Sequence, residues 1–294
     1  MSESPDPRSE LPDVTIVVPA LNEEAGLAEF LPDLVARAAT AGWQVIVVDD
    51  GSTDGTVAVA RSSSVEVISH RRKRGYGAAL KTGIAAARGE WIATMDADGQ
   101  HTIGALDAIL AARTGSDMVV GARRGLRQSR LWRMPGKWVL GKLAAFIANR
   151  PIPDLNSGLR VCRAAVLRRY IHLCPDGFSF STTVSLAFLH RGMTVTYVPI
   201  SVRPSTSAST VSPLSGLETL LLILRLATLF EPLRLFVTAS LVLLVSGTLY
   251  AVPYAIAGRG ISVGAAIVVF TGIQLLFVGL IADQISSLRK ERFE

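Results

Sequence analysis

The sequence predicts an α/β fold, with a mostly parallel sheet and helices on both faces, followed by a C-terminal transmembrane helical hairpin. Two observations carry this prediction. Short β-branched runs alternate with helical stretches along the first part of the chain, which is typical of parallel sheets covered by helices. Two uncharged apolar stretches follow near the C-terminus. The 294 residues suffice for one sizeable domain with such an appendage.

The strands of the predicted sheet are short, apolar and rich in valine and isoleucine. They are predicted at Val14–Pro19, Gln44–Val48, Val65–Ser69, Trp91–Met95, Met118–Val120 and Val195–Pro199. Helices are predicted from Asn22 to about Thr40, near Thr56–Ser62, and over Gly75–Arg88. Asn22 is expected to be the N-cap of the first helix, because Asn is favoured there and acidic residues follow it.

Three polar clusters, 19–24, 49–54 and 96–101, each follow a predicted strand. The carboxyl ends of parallel strands meet at one edge of a sheet, where open α/β folds bind their ligands. The three clusters are therefore expected to form one site.

Asp96 and Asp98 are separated by one residue on a turn after a strand, with Gln100 and His101 beside them. Oxygen ligands so placed suit Mg²⁺ or Mn²⁺, and such a cation would bridge a diphosphate. The alternative is an ordinary solvated turn at Gly99.

The second cluster, Asp49–Gly55 (DDGSTDG), has carboxylates able to accept hydrogen bonds from a nucleotide base or ribose. Turn and N-cap chemistry alone is the other interpretation.

The two apolar stretches, Leu235–Ala257 and Ile261–Ala282, have 23 and 22 residues and no charge. At about 1.5 Å per residue each is long enough to cross a bilayer. Positive residues flank the hairpin on both outer sides, so the α/β domain and both termini are expected in the cytoplasm. A helix at 213–232 is expected to lie in the membrane interface, with a third span as the alternative. A buried hairpin of a soluble protein is the alternative for the whole segment.

The net charge of +6 and the pI of about 9.7 favour anionic partners, here a phosphorylated substrate and membrane lipids. Ordinary solubility charge is the alternative. No nucleic-acid-binding module is visible, so nucleic acid is not an expected partner.

Cys162 and Cys174 lack metal-ligand spacing and are expected to be reduced thiols packed in the core. Residues 1–13 are expected to be a disordered tail without signal-peptide character.

Five motifs together resemble glycosyltransferase family 2, and within it the dolichol-phosphate mannose synthase and polyprenyl-phosphate glucosyltransferase type. The resemblance covers about residues 14–282 and implies a Rossmann-like GT-A fold and an inverting, metal-dependent transfer with Mg²⁺ or Mn²⁺. The motifs are Pro19–Glu24 (PALNEE), Val47–Thr56 (VVDDGSTDGT), Met95–His101 (MDADGQH), Asp154–Arg160 (DLNSGLR) and Phe178–Thr183 (FSFSTT).

The resemblance also implies roles for individual residues. Donor binding falls to Pro19, Ala20, Asn22, Glu23, Asp49, Asp50, Asp96, Ala97 and Asp98, and metal binding to Asp96, Asp98 and Gln100. The acceptor phosphate would be held by Arg123, Arg133, Arg203 and Ser209, and the catalytic residues would be Asp154, Asp98 and Arg133. Arg203 and Ser209 roughly match a basic, Ser-containing segment of the family that closes over phosphates. Residues 203–210 lack the Gly and Lys that are usual in that segment.

The expected reaction transfers a hexose from a nucleotide-sugar to polyprenyl or dolichyl phosphate at the plasma membrane. GDP-mannose is the favoured donor and UDP-glucose the next. Two alternatives stay open: a family-2 enzyme acting on a saccharide, and a non-catalytic nucleotide-sugar-binding membrane scaffold. A homo-oligomer is also left open.

Overall fold

A computed structural model of the chain describes residues 11–123, 152–177, 179–203, 225, 228 and 231–291. The chain divides into two compact units, Met1–Pro213 and Leu214–Glu294. Several predictions fall outside the described residues and stay predictions. They concern the disordered tail up to residue 10, Arg133, Ser209 and nearly all of the interface helix at 213–232.

The first unit contains one seven-stranded sheet with the order β3-β2-β1-β4-β6-β5-β7. Every neighbouring pair is parallel except the two pairs made by β6, which runs antiparallel to β4 and β5. The strands are β1 (Val14–Ala20), β2 (Gln44–Asp49), β3 (Glu66–Ser69), β4 (Trp91–Thr94), β5 (Met118–Arg123), β6 (Arg160–Arg163) and β7 (Val195–Ile200). The predicted mostly parallel sheet is confirmed.

The helices of this unit pack in two groups, α1 with α2 and α4, and α3 with α5 and α6. They are α1 (Glu24–Ala41), α2 (Thr56–Ser62), α3 (Tyr76–Ala86), α4 (Ile103–Ala111), α5 (Ala164–Tyr170) and α6 (Phe180–His190), with a 3₁₀ turn at Ile171–Leu173. On β1, Ile16 belongs to the core cluster shared with α1. Val17 points the other way, where a Cβ on Gly83 of α3 would overlap its side chain. The sheet is therefore covered on both faces.

One local prediction is wrong, and strand β6 and helices α4, α5 and α6 were not predicted. In β6, four residues with arginine at both ends give little hydrophobic signal. The N-cap of α1 is Glu23 rather than Asn22, and Glu23 makes no side-chain cap hydrogen bond. Asn22 instead adopts a left-handed backbone conformation, with φ of 54°. Its side-chain oxygen accepts a hydrogen bond from the Thr53 amide at 2.9 Å, so it is not available to cap the helix.

Cys162 and Cys174 are free and buried, as predicted. Burial raises the pKa of each thiol to about 12, so both are protonated at neutral pH. They act as small apolar core residues.

The second unit is an antiparallel pair of long helices, α7 (Pro232–Ile256) and α8 (Val263–Glu291). Close packing is shown by the Ser240 hydroxyl, which donates to the Gly272 carbonyl at 2.7 Å. Most of the remaining surface is apolar, including Leu249 and Phe277, which are 67% and 60% exposed. Pro232–Ile256 and Val263–Leu288 are each long and apolar enough to cross a membrane. An exposed apolar surface of this extent suits membrane association.

Candidate functional site

The carboxyl ends of β1, β2, β4 and β5 lie at one edge of the sheet. The first three strands are mutually parallel, and β4 and β5 share a direction because both run antiparallel to β6. The strands end at Ala20, Asp49, Thr94 and Arg123. The three predicted polar clusters are thus brought to the same edge, together with Arg123.

The first two clusters brace each other across this edge. The Asn22 amide donates to the Ser52 hydroxyl at 2.9 Å, and the Glu23 amide donates to the Thr56 hydroxyl at 2.9 Å. The Gly55 amide donates to the Glu24 carboxylate at 2.9 Å. Asn22 and Glu23, to which the resemblance assigns donor binding, therefore also build the pair of loops that follow β1 and β2. Pro19 and Ala20 end β1 beside them, with the Asp50 amide donating to the Ala20 carbonyl.

Asp49 and Asp50 are both buried but have different surroundings. Asp49 accepts a hydrogen bond from the Ser52 amide at 2.9 Å. Asp50 accepts from the amides of Arg74 and Gly75 at 2.9 and 2.7 Å, and its Oδ1 lies 2.7 Å from His70 Nδ1. Burial acts to raise the Asp50 pKa, but the hydrogen bonds from these three groups outweigh it and lower the pKa. The Asp50 carboxylate is therefore ionised and committed to the loop after β3.

That loop carries four consecutive cationic residues, Arg71–Arg74, all of them exposed. It lies against the second cluster, since a Cβ on Gly51 would come within 2.9 Å of the backbone of Arg72 and Lys73. The sequence analysis missed it as part of the site. The signal available was the run of cations between a strand end and the Gly-rich start of a helix.

Asp96 is held in one orientation by its neighbours. Its Oδ1 accepts a hydrogen bond from the Tyr76 hydroxyl at 2.8 Å, and its Oδ2 lies 3.9 Å from His101 Nε2. The carboxylate also packs against Gly158, where a Cβ would overlap it. Tyr76 is a site residue that the sequence analysis did not find. Burial is the largest of the effects that raise its pKa well above the usual value, so the phenol is a donor.

Asp98 is engaged by Gln100, whose backbone and side-chain amides donate to it at 3.1 and 2.8 Å. Burial raises the Asp98 pKa, and the charge of Asp96 adds to the shift. The Glu23 pKa is raised by burial first and then by Asp98, Asp54 and Asp96. Neighbouring carboxylates thus add to the effect of burial at Asp98 and Glu23, and a bound cation would offset this repulsion.

The residues present fit a divalent cation that is shared with a ligand. Among the described residues, no three His, Cys, Asp or Glu side chains come close enough together to hold a metal ion by themselves. Mg²⁺ is usually bound through one or two carboxylates together with substrate phosphates, rather than in an all-protein cage. Asp96 and Asp98, with the amide oxygen of Gln100, match that incomplete set. Ala97 between them is buried.

His101 lies beside the pair and is 4% exposed. Burial lowers its pKa in spite of the charges of Asp96 and Asp98, so the imidazole is neutral. Its Nδ1 has no hydrogen-bond partner among the residues that the structure describes.

Arg123 and Asp154, both predicted site residues, form a two-point ion pair. Arg123 Nε and Nη2 donate to Asp154 Oδ2 and Oδ1 at 2.7 and 3.0 Å. The Asp154 carboxylate is 4% exposed and the Arg123 side chain 22%. Burial acts to raise the Asp154 pKa, but the hydrogen bonds and charge of Arg123 lower it overall. The sequence analysis placed both residues near the reacting groups, and the structure pairs them with each other.

Arg203 also reaches this edge. Its amide donates to the Gln100 carbonyl at 2.9 Å, and its guanidinium lies 2.8 Å from the Glu29 carboxylate. Both side chains are half exposed. The segment after β7 therefore begins beside the Asp96–Gln100 turn.

Comparison with known proteins agrees with this architecture. Residues 15–172 match glycosyl transferase family 2, and residues 231–288 match the GtrB C-terminal hairpin. An uncharacterised protein of Methanocaldococcus jannaschii is 32% identical over 64% of this chain and 80% of its own length. The dodecaprenyl-phosphate galacturonate synthase of Rhizobium johnstonii is 31% identical over 53% of this chain. The match covers only 49% of the length of that enzyme. An undecaprenyl-phosphate 4-deoxy-4-formamido-L-arabinose transferase of Salmonella paratyphi B is 27% identical over 64% of this chain and 58% of its own length.

Among solved structures, glucosyl-3-phosphoglycerate synthase of Mycobacterium tuberculosis is similar, with a TM-score of 0.58 and 23% identity over 74% of this chain and 79% of that one. Another structure of that enzyme contains Mn²⁺ and UDP, with a TM-score of 0.56. At this identity the likeness concerns the fold, which is the predicted GT-A fold. The family match covers more than half of the chain, and the protein therefore belongs to glycosyltransferase family 2, with a GtrB-type C-terminal hairpin.

Proposed function

We propose that the protein transfers a hexose from a nucleotide-sugar to a polyprenyl or dolichyl phosphate, with inversion at the anomeric carbon. The observation that carries the proposal is the pairing at one sheet edge of a cation-ready carboxylate set, Asp96 and Asp98, with a fixed arginine, Arg123. The same chain has an apolar helical hairpin, which suits an enzyme whose acceptor is a lipid. The names of the Rhizobium and Salmonella relatives, both polyprenyl-phosphate sugar transferases, support this acceptor class.

The donor is held along the ends of β1, β2 and β4. The loops at Ala20–Glu23 and Asp49–Asp50 face the nucleoside, and the exposed loop Arg71–Arg74 supplies positive charge beside it. GDP-mannose is the donor that the sequence favours, and UDP-glucose is next. The UDP bound by the solved Mycobacterium enzyme supports including the uridine nucleotide.

A divalent cation, Mg²⁺ or Mn²⁺, would be held by Asp96, Asp98 and Gln100, and would stabilise the negative charge of the departing diphosphate. Tyr76 and Gly158 keep the Asp96 carboxylate in place for this role. Gln100 does the same for Asp98 through its two hydrogen bonds.

The acceptor is a phosphate monoester and is already anionic at neutral pH, so no general base has to deprotonate it. One of its oxygens attacks the anomeric carbon while the bond from that carbon to the diphosphate breaks. The protein has to position the two reactants and offset their charges. Arg123 is oriented for this by Asp154, and the family resemblance adds Arg133, Arg203 and Ser209 as further contacts to the acceptor phosphate.

The positive residues that flank the hairpin support a cytoplasmic catalytic domain with both termini on the same side. A helix at 213–232 would hold the site at headgroup depth, and the plasma membrane is the expected location.

The test uses the full-length chain in detergent with Mn²⁺, polyprenyl phosphate and a panel of labelled nucleotide-sugars. We expect label in the organic-extractable lipid with one donor, and at least about a 100-fold loss of rate in Asp98→Ala, whose missing carboxylate weakens cation-dependent donor binding. Transfer to a saccharide instead of the lipid would favour the alternative of a family-2 enzyme that acts on a saccharide. Donor binding without any transfer would favour the non-catalytic scaffold.

A further inference from the structure

A buried polar network lies directly behind the carboxylate of Asp96. The Tyr76 hydroxyl donates to Asp96 Oδ1 at 2.8 Å and is also in hydrogen-bond contact with Ser181. The Ser181 carbonyl accepts a hydrogen bond from Arg160 Nη1 at 2.7 Å. Asp96, Tyr76, Ser181 and Arg160 therefore form a continuous chain from the proposed cation site into the protein interior.

Arg160 ends this chain as a buried cation with neutral partners. It is 1% exposed and donates to the Ser157 carbonyl at 3.1 and 2.5 Å and to the Ser185 hydroxyl at 3.1 Å, in addition to Ser181. No ion pair joins Arg160 to a carboxylate within the described part of the chain. A buried charge is costly unless charge of the opposite sign lies nearby. The charge of Asp96 raises the Tyr76 pKa and the charge of Arg160 lowers it, so both charges act on the phenol.

The backbone holds both ends of the network rigidly. Tyr76 begins α3 between two glycines that pack against the segment before α6. Cβ atoms on Gly75 and Gly77 would overlap the carbonyls of Asp176 and Pro175. Arg160 lies in β6 opposite Thr94, whose hydroxyl donates to the Gly158 carbonyl at 2.8 Å.

We propose that Tyr76 and Arg160 are positioning residues for the cation-binding carboxylate of Asp96. Tyr76 holds the carboxylate in one orientation through Oδ1, while Arg160 fixes α6 behind Tyr76 and offsets the negative charge of the site. This inference rests on the proposed function, because it requires Asp96 to bind the cation. Neither residue touches a substrate; each acts through Asp96.

The test measures the binding of Mn²⁺ rather than turnover. Tyr76→Phe removes the hydroxyl and keeps the ring, and Tyr170→Phe is the matched control, because Tyr170 is another buried tyrosine that packs on Phe188. Free Mn²⁺ is followed by its electron paramagnetic resonance signal in titrations of the full-length protein, with and without UDP or GDP. Loss of a partner that orients a metal ligand typically weakens metal affinity 10- to 100-fold.

We expect Tyr76→Phe to raise the Mn²⁺ dissociation constant by at least about tenfold, with Tyr170→Phe unchanged and the melting temperature of both variants close to that of the wild type. Saturating Mn²⁺ should restore donor binding in Tyr76→Phe. Wild-type Mn²⁺ affinity in Tyr76→Phe would overturn the inference, and so would a lower melting temperature with unaltered affinity.

Arg160→Lys is the second variant, because it keeps the buried charge but cannot reach all three acceptors. We expect it to weaken Mn²⁺ binding, and the combination with Tyr76→Phe to weaken it by less than the product of the two single effects, since both act on Asp96. Strictly multiplicative effects would contradict a shared route. If the wild-type protein binds no Mn²⁺ with either nucleotide, the proposed function fails; if it binds and Tyr76→Phe is unchanged, only this inference fails.

Discussion

Asp50 makes three polar contacts with the loop after β3. Its replacement by asparagine tests whether Asp50 stabilises this loop in the protein without a bound donor. Asp50 Oδ1 is shared by His70 and the Arg74 amide, and Oδ2 accepts from the Gly75 amide. In Asp50→Asn the side-chain oxygen can keep the first two partners. Its NH₂ group then faces the Gly75 amide, and two donors cannot bond to each other.

The cost follows from these three contacts. The half-buried Gly75 amide left without an acceptor costs about 1–3 kcal/mol, and each of the two remaining hydrogen bonds loses about 1 kcal/mol when the acceptor is no longer charged. Burying a neutral amide is less costly than burying a carboxylate, which returns part of the loss. We therefore expect a net destabilisation of the loop by roughly 2–4 kcal/mol.

Hydrogen exchange of the peptide that contains Arg74 and Gly75 measures this directly, because local opening exposes these amides. At about 1.4 kcal/mol per factor of ten, exchange in Asp50→Asn should be roughly 30- to 1,000-fold faster. The matched control is Asp49→Asn, which is equally buried and whose oxygen can keep the hydrogen bond from the Ser52 amide. Exchange in Asp50→Asn within twofold of that control would refute the reasoning.

The same carboxylate predicts a dependence on pH. The folded-state pKa of Asp50 is lowered. Its contribution to the stability of the loop is therefore complete above the unfolded-state pKa of about 3.9 and is lost as the pH falls through the folded-state pKa. Loop exchange, corrected for intrinsic rates, should therefore accelerate below about pH 4 in the wild type. Asp50→Asn should show no such acceleration from this residue.

Three further predictions follow from the site and the core. Asp154→Asn weakens a buried two-point ion pair, so we expect transfer to fall at least about 100-fold; a fully active variant would contradict the positioning of Arg123 by Asp154, and circular dichroism would verify the fold. In Gly158→Ala the added methyl group overlaps the Asp96 carboxylate, so Mn²⁺ affinity measured by calorimetry should fall at least about tenfold, and unchanged affinity would mean that Asp96 does not bind the cation as described. Both buried thiols should resist maleimide at neutral pH and react after denaturation, and rapid labelling of the native protein would contradict their burial.

The parts of the fold that could be predicted are those with a local signal. Strands β1, β2 and β4 are continuous apolar runs because parallel strands are buried on both faces. The polar residues that follow them could be assigned to one edge from the handedness and direction of the crossovers alone. Asp96 and Asp98 were assigned to the same edge on this basis, and their role in cation binding stays a prediction, supported by Gln100 and His101 beside them.

The parts that could not be predicted depend on contacts between distant residues. Asp50 bonds to a loop some twenty positions away, and Asn22 is held by Thr53 rather than by its own helix. Tyr76 looks like a polar residue at a helix start, and only the tertiary fold brings its hydroxyl to Asp96. Arg160 was noted only as the end of the DLNSGLR motif, and its burial in β6 depends on the tertiary fold. Periodicity and propensity carry no information about such contacts.

The pairing of Arg123 with Asp154 limits what that arginine can do for an acceptor phosphate. The ion pair has almost no net charge, so Arg123 attracts a distant anion weakly. Asp154 uses Nε and Nη2, and no hydrogen bond from Nη1 is made to any described residue. Arg123 can therefore present Nη1 to a phosphate in a fixed direction, while long-range attraction would come from other cations, such as those of the exposed loop Arg71–Arg74. Orienting the acceptor phosphate and attracting it from a distance are separate requirements. A guanidinium that is not fixed in direction would not hold the acceptor oxygen in line with the anomeric carbon.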